Sequence, residues 1–187
     1  MDLLSGLVLA KQHSKRLPEK NTLDFHGEPM FLVNVKKCLS IFDEVYVSSD
    51  SPLILEEAER AGAIAIERPF GLCGDTPNIP VYQHAMEQMK CDGFAAVQAN
   101  SPTVDKNLIA LAKKLLMIGA QEIMTCHPDY KIYGSVWAMT AERLKNYGDP
   151  YRPTPEVLLL DGSVDIHTQE DYESALLEYN NTIKVHV

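Results

Sequence analysis

Four cations fall within ten residues near the start of the chain: Lys11, Lys15, Arg16 and Lys20. They follow an apolar run, Leu7-Val8-Leu9-Ala10, that reads as a short buried strand. A strand opening into a basic loop at the edge of an α/β sheet suits a polyanion such as a triphosphate. The cations offset its charge, and the loop amides donate hydrogen bonds to its oxygens. A solvated surface loop carrying lysines is the plainer alternative, because charge runs commonly mark exposure. The chain as a whole is acidic, with a formal net charge of −9, so the local concentration of cations is out of character.

The elements around this loop are legible as an alternation. Pro29 stands where a helix can begin, and Met30, Val33 and Leu39 give the segment to Leu39 an apolar face. Residues 44–48 read as a second strand. Ser51-Pro52 reads as an N-cap and first helical position, with Gly62 as the stop. Residues 63–67 form a third short strand, and a loop over 68–78 leads into a helix around 81–89. Residues 93–99 are the most strand-like run. Asp105 caps a helix ending near Gly119, and 122–126 and 135–139 are further strands. Thr140 opens a short helix, 156–160 is a candidate strand, and 169–179 closes the series as a helix. This alternation predicts a three-layer, Rossmann-like α/β domain, its mostly parallel sheet covered by helices on both faces. Ligands of such sheets sit beyond the carboxyl ends of the strands, here the loops after Ala10, Ser48, Glu67 and Ala99.

Length and composition set the outer bounds. A chain of 187 residues, 45% hydrophobic and 23% charged, is expected to form one domain, 1–187, with a sizeable core. Its acidity argues against a general nucleic-acid binder, which needs a broad basic surface. Cys38, Cys73, Cys91 and Cys126 are scattered, giving neither a metal pair nor a disulfide framework, as expected for a reducing cytoplasm. Met1 to Ala10, with Asp2 and no leading cations, does not read as a signal peptide. No apolar run approaches a membrane span, so a cytoplasmic protein without membrane contact is expected.

The stretch Ala10-Lys11-Gln12-His13-Ser14-Lys15-Arg16-Leu17-Pro18-Glu19-Lys20-Asn21 resembles the signature loop of the CMP-sugar synthetases, the cytidylyltransferases that activate sialic acids and Kdo. That loop is usually written A-R-x-G-S-K-x-L-P-x-K-N. Ala10, Ser14, Lys15, Leu17, Pro18, Lys20 and Asn21 match it. Lys11 stands for the arginine and loses its bidentate fork. His13 stands for the glycine and cannot take positive φ as cheaply, so a different loop backbone is expected. Ser48-Ser49-Asp50 resembles the family's S-T/S-D motif, although a helix cap and turn explain it equally. Arg68-Pro69 with Leu72 and Asp75 resembles R-P-x-x-L-A-x-D, and an exposed Arg68 paired with Glu67 is the alternative. Gln98-Ala99-Asn100-Ser101-Pro102 resembles Q-x-T-S-P and Q-x-D-E-P, without the arginine that normally follows in the sialic acid branch. Asp165-Ile166-His167-Thr168-Gln169-Glu170-Asp171 resembles D-I-D-T-x-E-D, with His167 replacing the second carboxylate. Thr168 also reads locally as a helix N-cap.

The resemblance, running from about Leu7 to about Asp171, implies a nucleotide-diphospho-sugar transferase type of fold and transfer of CMP from CTP to a sugar-acid-like acceptor. Lys15 and Lys20 would be catalytic. Ala10, Lys11, Ser14, Lys15, Arg16, Lys20, Asn21 and Arg68 would hold the nucleotide, and Gln98 and Asn100 the acceptor. Asp165 and His167 would bind Mg2+, or Mn2+ as the softer alternative. Only His127 to Gly134 stands where family members carry a long dimerisation arm, and Lys131-Ile132-Tyr133-Gly134-Ser135 resembles its tail, usually N-G-A-I-Y. A monomer or small-interface homodimer is therefore expected. Two other readings stay open: a nucleotide-binding or regulatory homologue that lost the reaction, and a nucleotidyltransferase with a different base or a small non-sugar acceptor.

Overall fold

The computed structural model describes residues 3–74, 76–151 and 154–185, with side-chain surroundings as far as 179; Asp75 lies outside the described residues. Its centre is β1 (Leu4–Leu9), parallel to β2 (Val45–Ser49) on one side and β4 (Gly93–Gln98) on the other. β3 (Ile64–Glu67) extends the sheet beyond β2. β6 (Ile132–Thr140) runs antiparallel between β4 and β5 (Glu122–Cys126), and β7 (Val157–Leu160) pairs parallel with β5. The order is β3-β2-β1-β4-β6-β5-β7.

Period-two alternation sends successive strand side chains into different layers. Val8, Val47, Ala95 and Val97 pack with α1 (Met30–Leu39), α2 (Pro52–Arg60) and α4 (Lys106–Met117) through Phe31, Val35, Ile54, Ala58, Ile109 and Leu116. Leu7, Tyr46, Phe94, Ala96 and Met139 face α3 (Asn78–Met86) and α5 (Ala141–Lys145) through Tyr82, Ala85 and Leu144. The three-layer, mostly parallel α/β architecture expected from the alternation is the one observed. A third cluster gathers Leu17, Phe25, Met30, Val33, Ile166 and Ala175 and docks α6 (Gln169–Val185) onto the first loop and α1.

Side-chain caps begin α4, α5 and α6. Asp105 accepts from the Asn107 amide at 2.8 Å, and Thr140 from the Arg143 amide at 3.0 Å, capping α4 and α5. Thr168 and Asp171 cap α6 reciprocally: the Asp171 amide donates to Thr168 Oγ1 at 3.2 Å, and the Thr168 amide to Asp171 Oδ2 at 2.8 Å. Ser51 holds the N-cap backbone position of α2, but its side chain makes no cap bond. α3 begins three residues earlier than its apolar spacing predicts. Pro80 falls within its first turn, where the missing N–H has no helical acceptor to lose. β6 starts at Ile132 rather than 135, so residues 127–131 alone join it to β5.

At the end of the sheet away from these loops, Glu122 and Arg143 form a buried pair, Nε to Oε2 at 2.7 Å, with exposures of 3% and 5%. Trp137 Nε1 donates to the other carboxylate oxygen at 2.9 Å. Removing one partner leaves a buried charge uncompensated, which costs about 3–5 kcal/mol. Arg143→Ala is expected to lower unfolding free energy by that amount in urea titration.

Candidate active site

The loops at the carboxyl ends of β1, β3 and β4 converge with the segment after β7 around a cavity of about 560 Å³. Lys11, Ser14, Lys15, Arg16, Lys20, Asn21, Arg68, Gln98, Asn100, Asp165 and His167 all line it. These residues come from widely separated parts of the sequence. Ala10 is the exception among the expected site residues. It is fully buried beneath the wall, and its amide donates to Ser48 O at 3.1 Å.

Side chains from neighbouring strands set the path of the basic loop. Asp50 accepts from the Gln12 amide at 2.8 Å, which gives Ser48-Ser49-Asp50 a supporting role in the loop's backbone. Asn21 Nδ2 donates to Lys11 O at 2.8 Å and closes the loop on itself, while Leu17 anchors it in the third apolar cluster. Lys11 Nζ reaches Gly74 O at 3.1 Å. His13 does not take positive φ. The left-handed residue of the loop is Glu19, at φ 50°, just before a 3-10 turn over Lys20–Thr22. The chain thus accommodates histidine at the family's glycine position without the strain that position suggests.

Lys20 is 7% exposed and donates to Ile166 O at 2.9 Å, joining the first loop to the segment 146 residues later. Burial lowers its pKa to about 8; Asp165 opposes this, while Lys11 and Arg16 add to it. Arg68 is also buried rather than paired with Glu67 at the surface. Its Nη2 donates to Ser48 O at 2.8 Å and its Nε lies 3.4 Å from Ser48 Oγ. Burial pulls its pKa below the usual arginine value, and Asp50 opposes that fall.

Among the described lining residues after Arg68 in the chain there is no lysine or arginine: Thr76, Asn78, Gln98, Asn100, Tyr133, Asp165 and His167 form the polar part. Asn100 Nδ2 donates to Asp165 Oδ1, and the Ile166 amide to Asn100 O at 2.9 Å. His167 Nε2 lies 2.6 Å from Asp165 Oδ2, so side chains two apart do point the same way. Tyr133 hydrogen-bonds Ser101 Oγ and stacks on His127 with centroids 4.6 Å apart. Burial, reinforced by the Asp165 charge, raises the Tyr133 phenol above its ordinary pKa. Tyr133, Thr76, Asn78 and Val81 are lining residues that the motif reading does not identify. The short hairpin after β5 brings Tyr133 inward; its resemblance to the tail of the family's arm is the local signal that could have placed it in the site.

Asp165 and His167 could hold a divalent ion only by giving up their mutual 2.6 Å contact. Asp165 Oδ2 and His167 Nε2 are adjacent on the cavity wall and supply one hard oxygen and one borderline nitrogen. No group of three His, Cys, Asp or Glu side chains gathers among the described residues. Substrate oxygens and water would therefore complete the coordination shell, a common arrangement for Mg2+ at phosphate sites.

Known proteins share this arrangement of elements. A CMP:2-keto-3-deoxy-manno-octonic acid synthetase complexed with CTP superposes with a TM-score of 0.78 at 15% identity, covering 97% of this chain and 100% of that one. The Mycobacterium tuberculosis protein Rv0371c in complex with manganese gives 0.67 at 15%, covering 94% and 98%. At such identities the likeness defines the fold, that of the nucleotidyltransferases. Residues 5–112 match the cytidylyltransferase family, and the chain belongs to it. Pseudaminic acid cytidylyltransferase of Campylobacter jejuni is 33% identical over 115 residues, 57% of this chain and 50% of that protein. The 3-deoxy-manno-octulosonate cytidylyltransferase of Christiangramia forsetii is 30% identical over 122 residues, 63% and 48% of the two chains. The chain spans about half the length of the curated relatives it matches. No helix among the described residues is long and apolar enough to cross a membrane.

The depressed Lys20 pKa has a thermodynamic consequence. Between pH 8 and about 10.5 the unfolded chain binds more protons at this residue than the folded one, so stability gains from Lys20 as pH rises through that window. Below pH 8 the buried ammonium costs stability. Lys20→Met should flatten this part of the profile, so the difference in stability between wild type and variant changes from pH 7 to pH 10 in favour of wild type, as read by urea denaturation.

Proposed function

We propose that the protein transfers CMP from CTP to a sugar-acid acceptor and releases pyrophosphate. The observation that carries this reading is one cavity lined both by five cations, Lys11, Lys15, Arg16, Lys20 and Arg68, and by Gln98, Asn100, Asp165 and His167. The acceptor hydroxyl oxygen would form a bond to the α-phosphorus as the bond to the pyrophosphate oxygen breaks, and the hydroxyl proton would pass to solvent. No covalent enzyme intermediate is required, so catalysis rests on positioning and charge. Lys15 and Lys20 would hold the triphosphate and stabilise the charge gathering on the leaving pyrophosphate. Lys11 and Arg16 would add to the field, and Ser14, Asn21 and Arg68 would seat the nucleotide. Gln98 offers both a donor and an acceptor to hydroxyl groups of the incoming substrate. A divalent ion on Asp165 and His167 would offset phosphate charge.

The names of the relatives supply the acceptors to try, pseudaminic acid and 3-deoxy-manno-octulosonate. Residues 127–131 leave little chain between β5 and β6 for a projecting arm, which supports a single domain over 1–187 that is monomeric or forms a small-interface homodimer. The deciding experiment is pyrophosphate release with each of the four NTPs and both acceptors. Release with CTP and one acceptor is expected, and release with a different NTP alone would overturn the base assignment.

Two variants test these two sets of residues separately. Lys15→Ala should weaken CTP binding by about tenfold or more, the equivalent of one charge-assisted hydrogen bond. Titration calorimetry reads this directly. His167→Asp should shift the metal preference of turnover from Mn2+ toward Mg2+, because it replaces a borderline nitrogen with a hard oxygen. An unchanged ratio of rates would remove His167 from the ligand set.

A further inference from the structure

α1 turns its inner face toward the sheet, where apolar side chains are expected, and Phe31, Leu32 and Val35 meet that expectation. Asn34 and Lys37 break it. Asn34 is fully buried, and Lys37 is sufficiently buried that its pKa falls to about 8. Neither lines the cavity. Burying an amide or an ammonium is unfavourable unless its hydrogen bonds are supplied, so the partners of these two groups show what they do.

Both side chains donate to the end of β4 and the loop that follows it. Asn34 Nδ2 donates to Gln98 O at 2.8 Å and to Ser101 O at 2.9 Å. Lys37 Nζ, three residues on and on the same helix face, donates to Pro102 O at 2.5 Å and Val104 O at 2.8 Å. Four carbonyls of the loop that leaves β4 are thus held by one helix. The loop's other side holds the segment after β7: the Ile166 amide donates to Asn100 O at 2.9 Å, the Val164 amide to Thr103 Oγ1 at 2.9 Å, and Asn100 Nδ2 to Asp165.

We infer that Asn34 and Lys37 are positioning residues for the acceptor side of the site. They fix the backbone of the 98–104 loop, and through it set the placement of Gln98, Asn100 and Asp165. The inference rests on the proposed nucleotidyl transfer for its kinetic consequence but on these four hydrogen bonds for its structural one. It separates the site into two supports. Asp50 and Asn21 hold residues 11–12 of the first loop without any α1 donor, and the loop meets the 163–167 segment at Lys20 alone among these hydrogen bonds, whereas the 98–104 loop takes four from α1.

The test uses Lys37→Met, which keeps the stem and removes the ammonium, and Asn34→Leu, which keeps the volume and removes the donor. Lys37→Met is the milder change and serves if Asn34→Leu folds poorly. Pseudaminic acid and 3-deoxy-manno-octulosonate are the acceptor probes, with CTP affinity measured by calorimetry and amide hydrogen exchange by mass spectrometry. The expected result is a kcat/KM for acceptor lower by about 10- to 100-fold, with CTP affinity within about twofold of wild type. Exchange should quicken in 98–104 and 163–167 while 10–21 stays protected. Unchanged acceptor kinetics, or an equal loss of CTP affinity, would overturn the inference. If wild type transfers to neither acceptor, the proposed function has failed rather than the clamp. Exchange then decides alone: selective quickening supports the clamp, and uniform or absent change overturns it.

Discussion

An ammonium taken out of water and given to a backbone carbonyl, Lys20 to Ile166, joins the two ends of this site. Lys20 stands at the exit of the first loop, and Ile166 lies between Asp165 and His167. Burying the cation is unfavourable on its own, as its lowered pKa records. Its placement is sustained by what surrounds it: Ile166 and Leu17 share an apolar cluster with Phe25, Met30 and Val33. Hydrophobic burial thus holds a polar contact in place, and that contact sets Lys20 of the basic loop beside the Asp165–His167 segment. An anionic ligand would relieve the cost by returning a countercharge to the lysine.

Sheet topology gives this arrangement its reach. Four neighbouring strands, β3, β2, β1 and β4, run the same way, so their following loops open on one edge. The buried polar side chains at that edge then connect loop to loop. Ser48 holds Arg68, Asp50 holds the first loop, and Asn34 holds the loop after β4. A further network of Thr125, Ser135, Asp161 and Ser163 fixes the turn that leads from β7 toward Asp165. The result is a cavity lined by several loops of different charge, coupled to one another through Lys20 and Ile166.

The sequence shows the parts of the site that are local and charged. The basic loop, Arg68 at its spacing, Gln98 at a strand end and Asp165 with His167 are all readable because residue type and separation carry the information. The same holds for the caps at Asp105, Thr140 and Thr168. Other features depend on tertiary placement. Nothing in residues 132–140 indicates that β6 runs antiparallel, since strand direction leaves no mark on hydrophobic period. Tyr133 enters the cavity only because residues 127–131 form a tight hairpin. Arg68 has the composition of a surface residue and is buried because Ser48 receives its guanidinium. The φ of His13 is legible from its side chain: histidine in place of the family's glycine predicts no positive φ there, and none is found.

The central claim is that the cavity's cations and the Asp165–His167 pair form one site for one nucleotide. Mn2+ binding followed by electron paramagnetic resonance, with and without CTP, tests it most directly, because two ligands of one site must influence each other reciprocally. The account predicts that saturating CTP tightens Mn2+ binding to the protein by about tenfold or more relative to the binding of free Mn–CTP alone, and that Asp165→Ala removes the gain. A Mn2+ affinity that CTP leaves unchanged, or a gain that survives Asp165→Ala, would contradict it.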